Sequence, residues 1–382
     1  KDILANYGGD ITAENGTISM YAGEEINNNT GIKANNGDVI LKAGYSITNK
    51  KDEKGTGVIE ASGKISMTTS DLSDSEMDDN SILNESEIKA GSDIIMDAAA
   101  DLLNSGSLTS TAGKVTLKGA QKADDTNDII GHVSNTGTID AKGDILLSTK
   151  NGYVNNQRQI TSAEGSVTME AKKAKSHTGE EVIGDIYNVG ESGSTQETAI
   201  KAKKGIHIST DYDFVNAGDY EVTGEGAIDI TTNRHFINSG AMATTKGDVT
   251  ITSIDGGIFN YETGDIATKD GNVTLHTQSK DADMWYLDET GEWLKVTKLN
   301  LKNVTTDENG DKYYTIDDKK HWVSEDGSIS NAGDIIANGK ITLKSDNGNV
   351  TNYDDLSTPG NGKAETTGDI ELSAANGMLY NK

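Results

Sequence analysis

The sequence has no cysteine, one proline (Pro359), two arginines (Arg158 and Arg234) and only 5% aromatic residues in 382 positions. Without cysteine there is no disulfide framework, no thiolate metal centre and no thiol nucleophile, and the redox compartment is left undecided. The near-absence of proline suits a chain whose backbone donors are used in long ladders, because each proline would remove one. Scarce aromatics argue against a thick globular core, and two arginines leave little with which to grip uronate carboxylates. Cations are also outnumbered, 34 Lys and Arg against 61 Asp and Glu, for a net charge of −27. That balance makes nucleic acid and anionic membranes poor partners and favours solubility and mutual repulsion of exposed molecules. No apolar run approaches the roughly 20 residues that span a bilayer. No charged-then-apolar leader opens the chain, so an export signal, if the protein is exported, is expected outside it.

What is abundant is Gly, with 43 residues, alongside Asn and small aliphatic and β-branched side chains spread evenly. They follow a repeat. Asp219 to Gly240 is one copy and Ala241 to Gly264 the next. Each holds a short apolar run, a Gly, a β-branched alternation, then an apolar pair, Asn and a turn. Aligning copies on the Asn gives a column of Asn28, Asn49, Asn84, Asn104, Asn135, Asn155, Asn188, Asn216, Asn238, Asn260, Asn331, Asn352 and Asn381. Close neighbours lie about 20 to 22 residues apart, within the solenoid range.

Each unit carries three period-2 runs, as in Ile32 with Ala34, Val39 with Leu41 and Ala43, and Ile47 with Asn49. Period 2 marks a strand with one buried face, and three strands per turn make a triangular coil. So short a strand cannot bury its face alone, so coils must stack in register about 4.8 Å apart. The expected fold is all-β: a right-handed parallel β-helix, or solenoid, of about thirteen three-stranded coils with loop and hairpin insertions. Gly37, Gly63, Gly113 and Gly247 are among the glycines just before the second strand, where a corner calling for positive φ is expected. A file of stacked amides is expected for the Asn column, a structural ladder rather than a ligand site.

The units "GDITAENGTISMYAGEEINNNTG", "GTIDAKGDILLSTKNGYVNN" and "GDIIANGKITLKSDNGNVTN" resemble the repeats of filamentous-haemagglutinin-type exoproteins, large adhesins exported by two-partner secretion in Gram-negative bacteria. The resemblance covers nearly the whole chain as a scaffold pattern. It implies a right-handed β-helix shaft, a secreted or outer-cell-surface location, an outer-membrane secretion partner, and service in adhesion or toxin delivery. The secretion domain that opens such proteins is not among these residues.

Extra residues interrupt the period at two corners. Ser70 to Asn80, Ala120 to Asp128, Lys172 to Val182 and Gln278 to Gly327 fall between second and third strands, whereas Lys50 to Gly55, Glu191 to Thr198 and Tyr353 to Gly362 fall between coils. The largest divides the chain into a shaft at 1–277, an inserted subdomain at 278–327 and more shaft at 328–382. It holds all three tryptophans, Trp285, Trp293 and Trp322, with Tyr286, Tyr313 and Tyr314. Its runs read as β-hairpins turning at Glu289-Thr290-Gly291 and Asn309-Gly310. Some of these aromatics are needed for the core of so small a subdomain; others are candidates for a recognition patch.

Acidic insertions containing Asp71, Asp74, Glu76, Asp78 and Asp79, or Asp124, Asp125 and Asp128, offer oxygen ligands for Ca²⁺ but match no EF-hand spacing, and solvated loops are the expectation. His132, His177, His207, His235, His276 and His321 form no ligand-like spacing, so no metal or other cofactor is expected. The expected function is a rod-like shaft segment of a bacterial adhesin, an elongated monomer meeting a cell-surface protein or glycan. The rivals are a polysaccharide-degrading β-helix enzyme, with scattered outward candidates Glu60, Lys89 and Asp140, and a passive stalk of a contact-dependent toxin-delivery protein. No catalytic residue is assigned.

Overall fold

The computed structural model describes residues 3–51, 57–70, 81–123, 129–173, 184–190, 198–279, 284–287, 293–295, 304–306, 312–316, 319–325, 327–358 and 368–381. Every regular element among them is a β-strand. A representative coil consists of Ile32–Ala34, Val39–Ala43 and Ser46–Asn49. Ile32, Val39, Leu41 and Ile47 are fully buried in it, while the intervening Lys33 and Lys42 face out. Burying one such aliphatic side chain contributes about 1.5–3 kcal/mol, but only if a neighbouring coil covers it. The register supplies that cover, pairing Ile32 with Ile59, Val39 with Ile65 and Asn49 with Asn84 on the next coil.

First, second and third strands are each stacked into their own parallel sheet, of 13, 13 and 14 strands respectively. This is the parallel β-helix of three-stranded coils expected from the repeat. The chain divides into two compact units, residues 1–229 with 240–247 and residues 230–239 with 248–382. The second contains the inserted hairpins together with its own coils.

Four expectations are refined. The Asn sheet begins one coil earlier, at Ile3–Asn6, where Asn6 pairs with Asn28. At the double asparagine the column runs through Asn156, which pairs with Asn135 and is fully buried, whereas Asn155 faces out. Val154 occupies the preceding inward position, and strict alternation then carries Asn156 inside.

The third concerns the span Tyr353 to Gly362. Leu356–Ser357 is a first strand paired with Ile335 and Ile336, so the extra residues beyond it lie between first and second strands. Insertions therefore occupy a third corner as well. The fourth is the reason for glycine at corners. Of those before second strands, Gly16 and Gly205 are the described ones with positive φ. The usual constraint is close approach: a Cβ on Gly37 would lie 2.1 Å from the carbonyl oxygen of Gly16, and one on Gly247 1.8 Å from that of Gly226.

The corners also give some of the acidic residues a structural role. An Asp just before a strand accepts the backbone N–H of the equivalent residue one coil on. Asp10 accepts from Gly31, Asp38 from Lys64, Asp93 from Lys114 and Asp144 from Ser166, at 2.8 to 3.0 Å. In the second unit Asp248 accepts from Asn272 at 2.7 Å. Corners interrupt the ladder, and these carboxylates satisfy donors that would otherwise lack a protein partner.

Candidate functional surfaces

The inserted aromatics lie in a five-stranded antiparallel sheet. Its strands run in the order Trp293–Lys295, Met284–Leu287, Lys319–Glu325, Lys312–Ile316, Val304–Thr306. The two expected hairpins are present as antiparallel pairs, and the proposed turn residues themselves lie outside the described ones. A further hairpin, closed by pairing of Ile316 with Lys319, joins them into one sheet.

Register assigns each aromatic position to a face, because directly paired residues share one and neighbours along a strand alternate. Trp285 pairs with Lys295 and Ser324, Leu287 with Trp293, and Tyr313 with both Trp322 and Thr305. All three tryptophan positions and Tyr313 therefore share a face. Its other positions among the described residues include Thr315, Lys320 and Lys295, and none of those positions holds a carboxylate. Tyr286, Leu294, Val323, His321, Tyr314 and Val304 share the opposite face. Tyr314 is buried at 4% exposure, whereas Tyr313 is half-buried and Thr305 exposed. The six candidates thus divide four to two across the sheet.

The Asn column is a continuous amide chain within each unit. Asn28 donates one Nδ2 proton to Asn49 Oδ1 and the other to the carbonyl of Thr30, both at 2.8 Å. The links continue through Asn84, Asn104, Asn135, Asn156, Asn188 and Asn216 in the first unit. In the second they join Asn238, Asn260, Asn331, Asn352 and Asn381. Apart from Asn381, these side chains are 0–1% exposed, so the column is part of the interior and presents nothing to a ligand.

Glu60, Lys89 and Asp140 are not scattered. Register puts them in one outward file of the first-strand sheet: Lys33, Glu60, Lys89, Thr109, Asp140, Thr161, Lys201 and Glu221. Sequence spacing hid the file because insertions vary the interval between coils. Neighbours of opposite charge pair within it, Lys33 with Glu60 at 3.1 Å and Lys201 with Glu221 at 3.4 Å. Such exposed pairs contribute about 0–1 kcal/mol each.

The residues proposed for the two acidic loops, Asp71 to Asp79 and Asp124 to Asp128, lie outside the described ones, as does His177. Among the described residues the one group of carboxylates able to converge on a cation is Asp334, Asp354 and Asp355. Partial burial and the negative charges of Asp354, Asp265 and Asp355 raise the Asp334 pKa. His207 lies 3.3 Å from Asp229, and His276 3.2 Å from Asp346, which also meets Lys344. Hydrogen bonds from Lys344 and His276 hold the Asp346 carboxyl below its usual range, against some burial.

No protein-family model, curated protein or solved structure matches this chain.

Proposed function

We propose that this chain is a shaft segment of a secreted or cell-surface bacterial exoprotein of the filamentous-haemagglutinin type, exported with an outer-membrane partner, and that it mediates attachment. The β-helix holds the inserted five-stranded sheet as the contact element for a cell-surface protein or glycan. One observation carries this reading: the three tryptophan positions share a face with half-buried Tyr313 and exposed Thr305, opposite the buried Tyr314. Tryptophan and tyrosine dominate binding hot spots because they bury large area at little conformational cost.

The test replaces Trp285, Trp293 and Trp322 together by Ala in the full chain and measures attachment to host-type and bacterial cells. Attachment is expected to fall to background while the β-sheet circular dichroism is retained. Undiminished attachment by a folded triple variant rejects this sheet as the contact element.

A further inference from the structure

A groove runs along the corner between the third strand of one coil and the first strand of the next, in the first unit. Its floor consists of equivalent triplets on consecutive coils: Glu85-Ser86-Glu87, Ser105-Gly106-Ser107 and Thr136-Gly137-Thr138. Each central carbonyl is held by the Asn column, with Asn84 donating to Ser86 at 2.9 Å, Asn104 to Gly106 at 3.3 Å and Asn135 to Gly137 at 2.8 Å. The floor is bare for a steric reason. A Cβ on Gly106 would sit 1.8 Å from the carbonyl oxygen of Ser86, and one on Gly137 1.8 Å from that of Gly106.

Ser86 departs from this pattern. It carries a side chain where the coils above have Gly, and that side chain is buried at 1% exposure. Its hydroxyl has no hydrogen-bond partner in the protein. That hydroxyl is closed off from the groove, so the groups a ligand can reach on this coil are the exposed Glu85 and Glu87. Lys51 and Arg158 lie at the two ends. Arg158 Nη1 donates to the carbonyl of Gln157 at 3.2 Å, and Glu85 meets Lys50 at 3.6 Å.

The lining selects a class of ligand. Val58 is the one apolar side chain among the described residues that line it, and none of these is aromatic, so they offer a lipid or a nucleobase little apolar or stacking surface. Two carboxylates are balanced by Lys51 and Arg158, so a strongly ionic ligand is not favoured. What remains is a pair of carboxylates on one coil and hydroxyl pairs on the next two, Ser105 with Ser107 and Thr136 with Thr138, spaced at the coil rise of about 4.8 Å, with one cation at each end. That suits a linear molecule presenting hydroxyls at regular intervals. We propose that this corner groove binds a neutral oligosaccharide lying along the coil axis, with Glu85 and Glu87 accepting from its hydroxyls and Arg158 donating at the far end. This site is independent of the aromatic sheet.

The test uses the full chain and isothermal titration with neutral hexasaccharides of β-1,4-glucose, α-1,4-glucose, β-1,3-glucose, β-1,4-mannose and β-1,4-N-acetylglucosamine. At least one is expected to saturate the protein below about 10 mM, with an affinity little changed by salt. Thr138→Tyr, which fills the groove from an exposed position, and Glu85→Gln with Glu87→Gln should each weaken that binding by about tenfold or more. Removing the aromatic insertion should leave it unchanged, which separates this site from the attachment surface. Failure of every hexasaccharide to saturate, or full binding by a folded Thr138→Tyr variant, overturns the proposal.

Discussion

The Nδ1 atom of His132 accepts the backbone N–H of Tyr153 on the next coil at 3.1 Å, and their rings stack with centroids 3.7 Å apart. His132 in turn donates its own backbone N–H to Asp101 at 2.7 Å. The corner before the third strand is therefore a second side-chain ladder, built from whatever acceptor stands there. Asp185 accepts from Asp213 at 2.8 Å; in the other unit His235 accepts from Gly257 at 3.0 Å and Asn349 from Met378 at 2.8 Å. Asp, His and Asn are interchangeable in this role because each can present a lone pair to an N–H.

This ladder makes stability sensitive to pH. Burial lowers the His132 pKa from its ordinary 6.5, although Asp101 pulls the other way. As pH falls through the unfolded value, the unfolded chain takes up a proton that the native imidazole refuses, so this contribution is complete above that value and is lost toward the folded pKa. Urea titrations at pH 8 and pH 5.5 should show a greater loss of stability in the wild type than in His132→Asn, which keeps an acceptor but cannot titrate. Equal losses in the two proteins exclude the role given to His132.

Asn135 and Asn155 provide a test of register. Asn135 accepts from Asn104 at 2.7 Å and donates to Asn156 and to the Gly137 carbonyl, each at 2.8 Å. Asn135→Ala leaves several buried groups unpaired and should cost about 3 kcal/mol in denaturant unfolding. Asn155 faces out, so Asn155→Ala should stay within about 0.5 kcal/mol of the wild type. A reversed order of the two values would place Asn155 in the column.

Tyr220 is buried at 1% exposure, packed edge-on to Phe214 with ring centroids 6.2 Å apart, and its hydroxyl has no protein partner. Burial drives its pKa well above the ordinary 10.0, so the phenol stays neutral. Tyr220→Phe removes the orphaned hydroxyl while keeping the ring, and should stabilise the fold by about 1 kcal/mol or more, read as a raised denaturation midpoint. A lower midpoint would mean that the hydroxyl has a partner in solution.

Glycine substitutions separate contact from open space. Gly137→Ala drives a Cβ to 1.8 Å from backbone and should lower stability by about 3 kcal/mol. Gly9 has nothing within 4 Å of an added Cβ, and Gly9→Ala should be close to neutral in the same measurement. Similar losses at both positions would make backbone freedom, not coil-to-coil approach, the reason for glycine.

Much of the scaffold was legible because its signals are one-dimensional. Alternation in Val39–Ala43 reports a half-buried strand without knowledge of any partner, and recurrence of Asn at a near-constant interval reports the coil. The same signals failed where two residues fitted equally. Asn155 and Asn156 are both asparagine, and only pairing with Asn135 shows which is inside. The corner acceptors were missed for a related reason: the abundant Asp residues read as solvated charge, and nothing local shows that Asp38 meets the N–H of Lys64 on the next coil.

The sequence by itself determined the three-stranded parallel coil, the presence of an Asn column and the distinct character of the inserted aromatics, because each follows from local periodicity or composition. The tertiary structure decided what meets across coils. Asn260 and Asn331 are joined by a 2.7 Å hydrogen bond although 71 residues separate them, and the file through Lys33, Glu60 and Lys89 emerges only once insertions are set aside by pairing. The shared face of Trp285, Trp293 and Trp322 and the groove over Gly106 and Gly137 have the same origin. Both depend on register between strands, which the hydrogen-bond ladder settles and the order of residues along one strand does not.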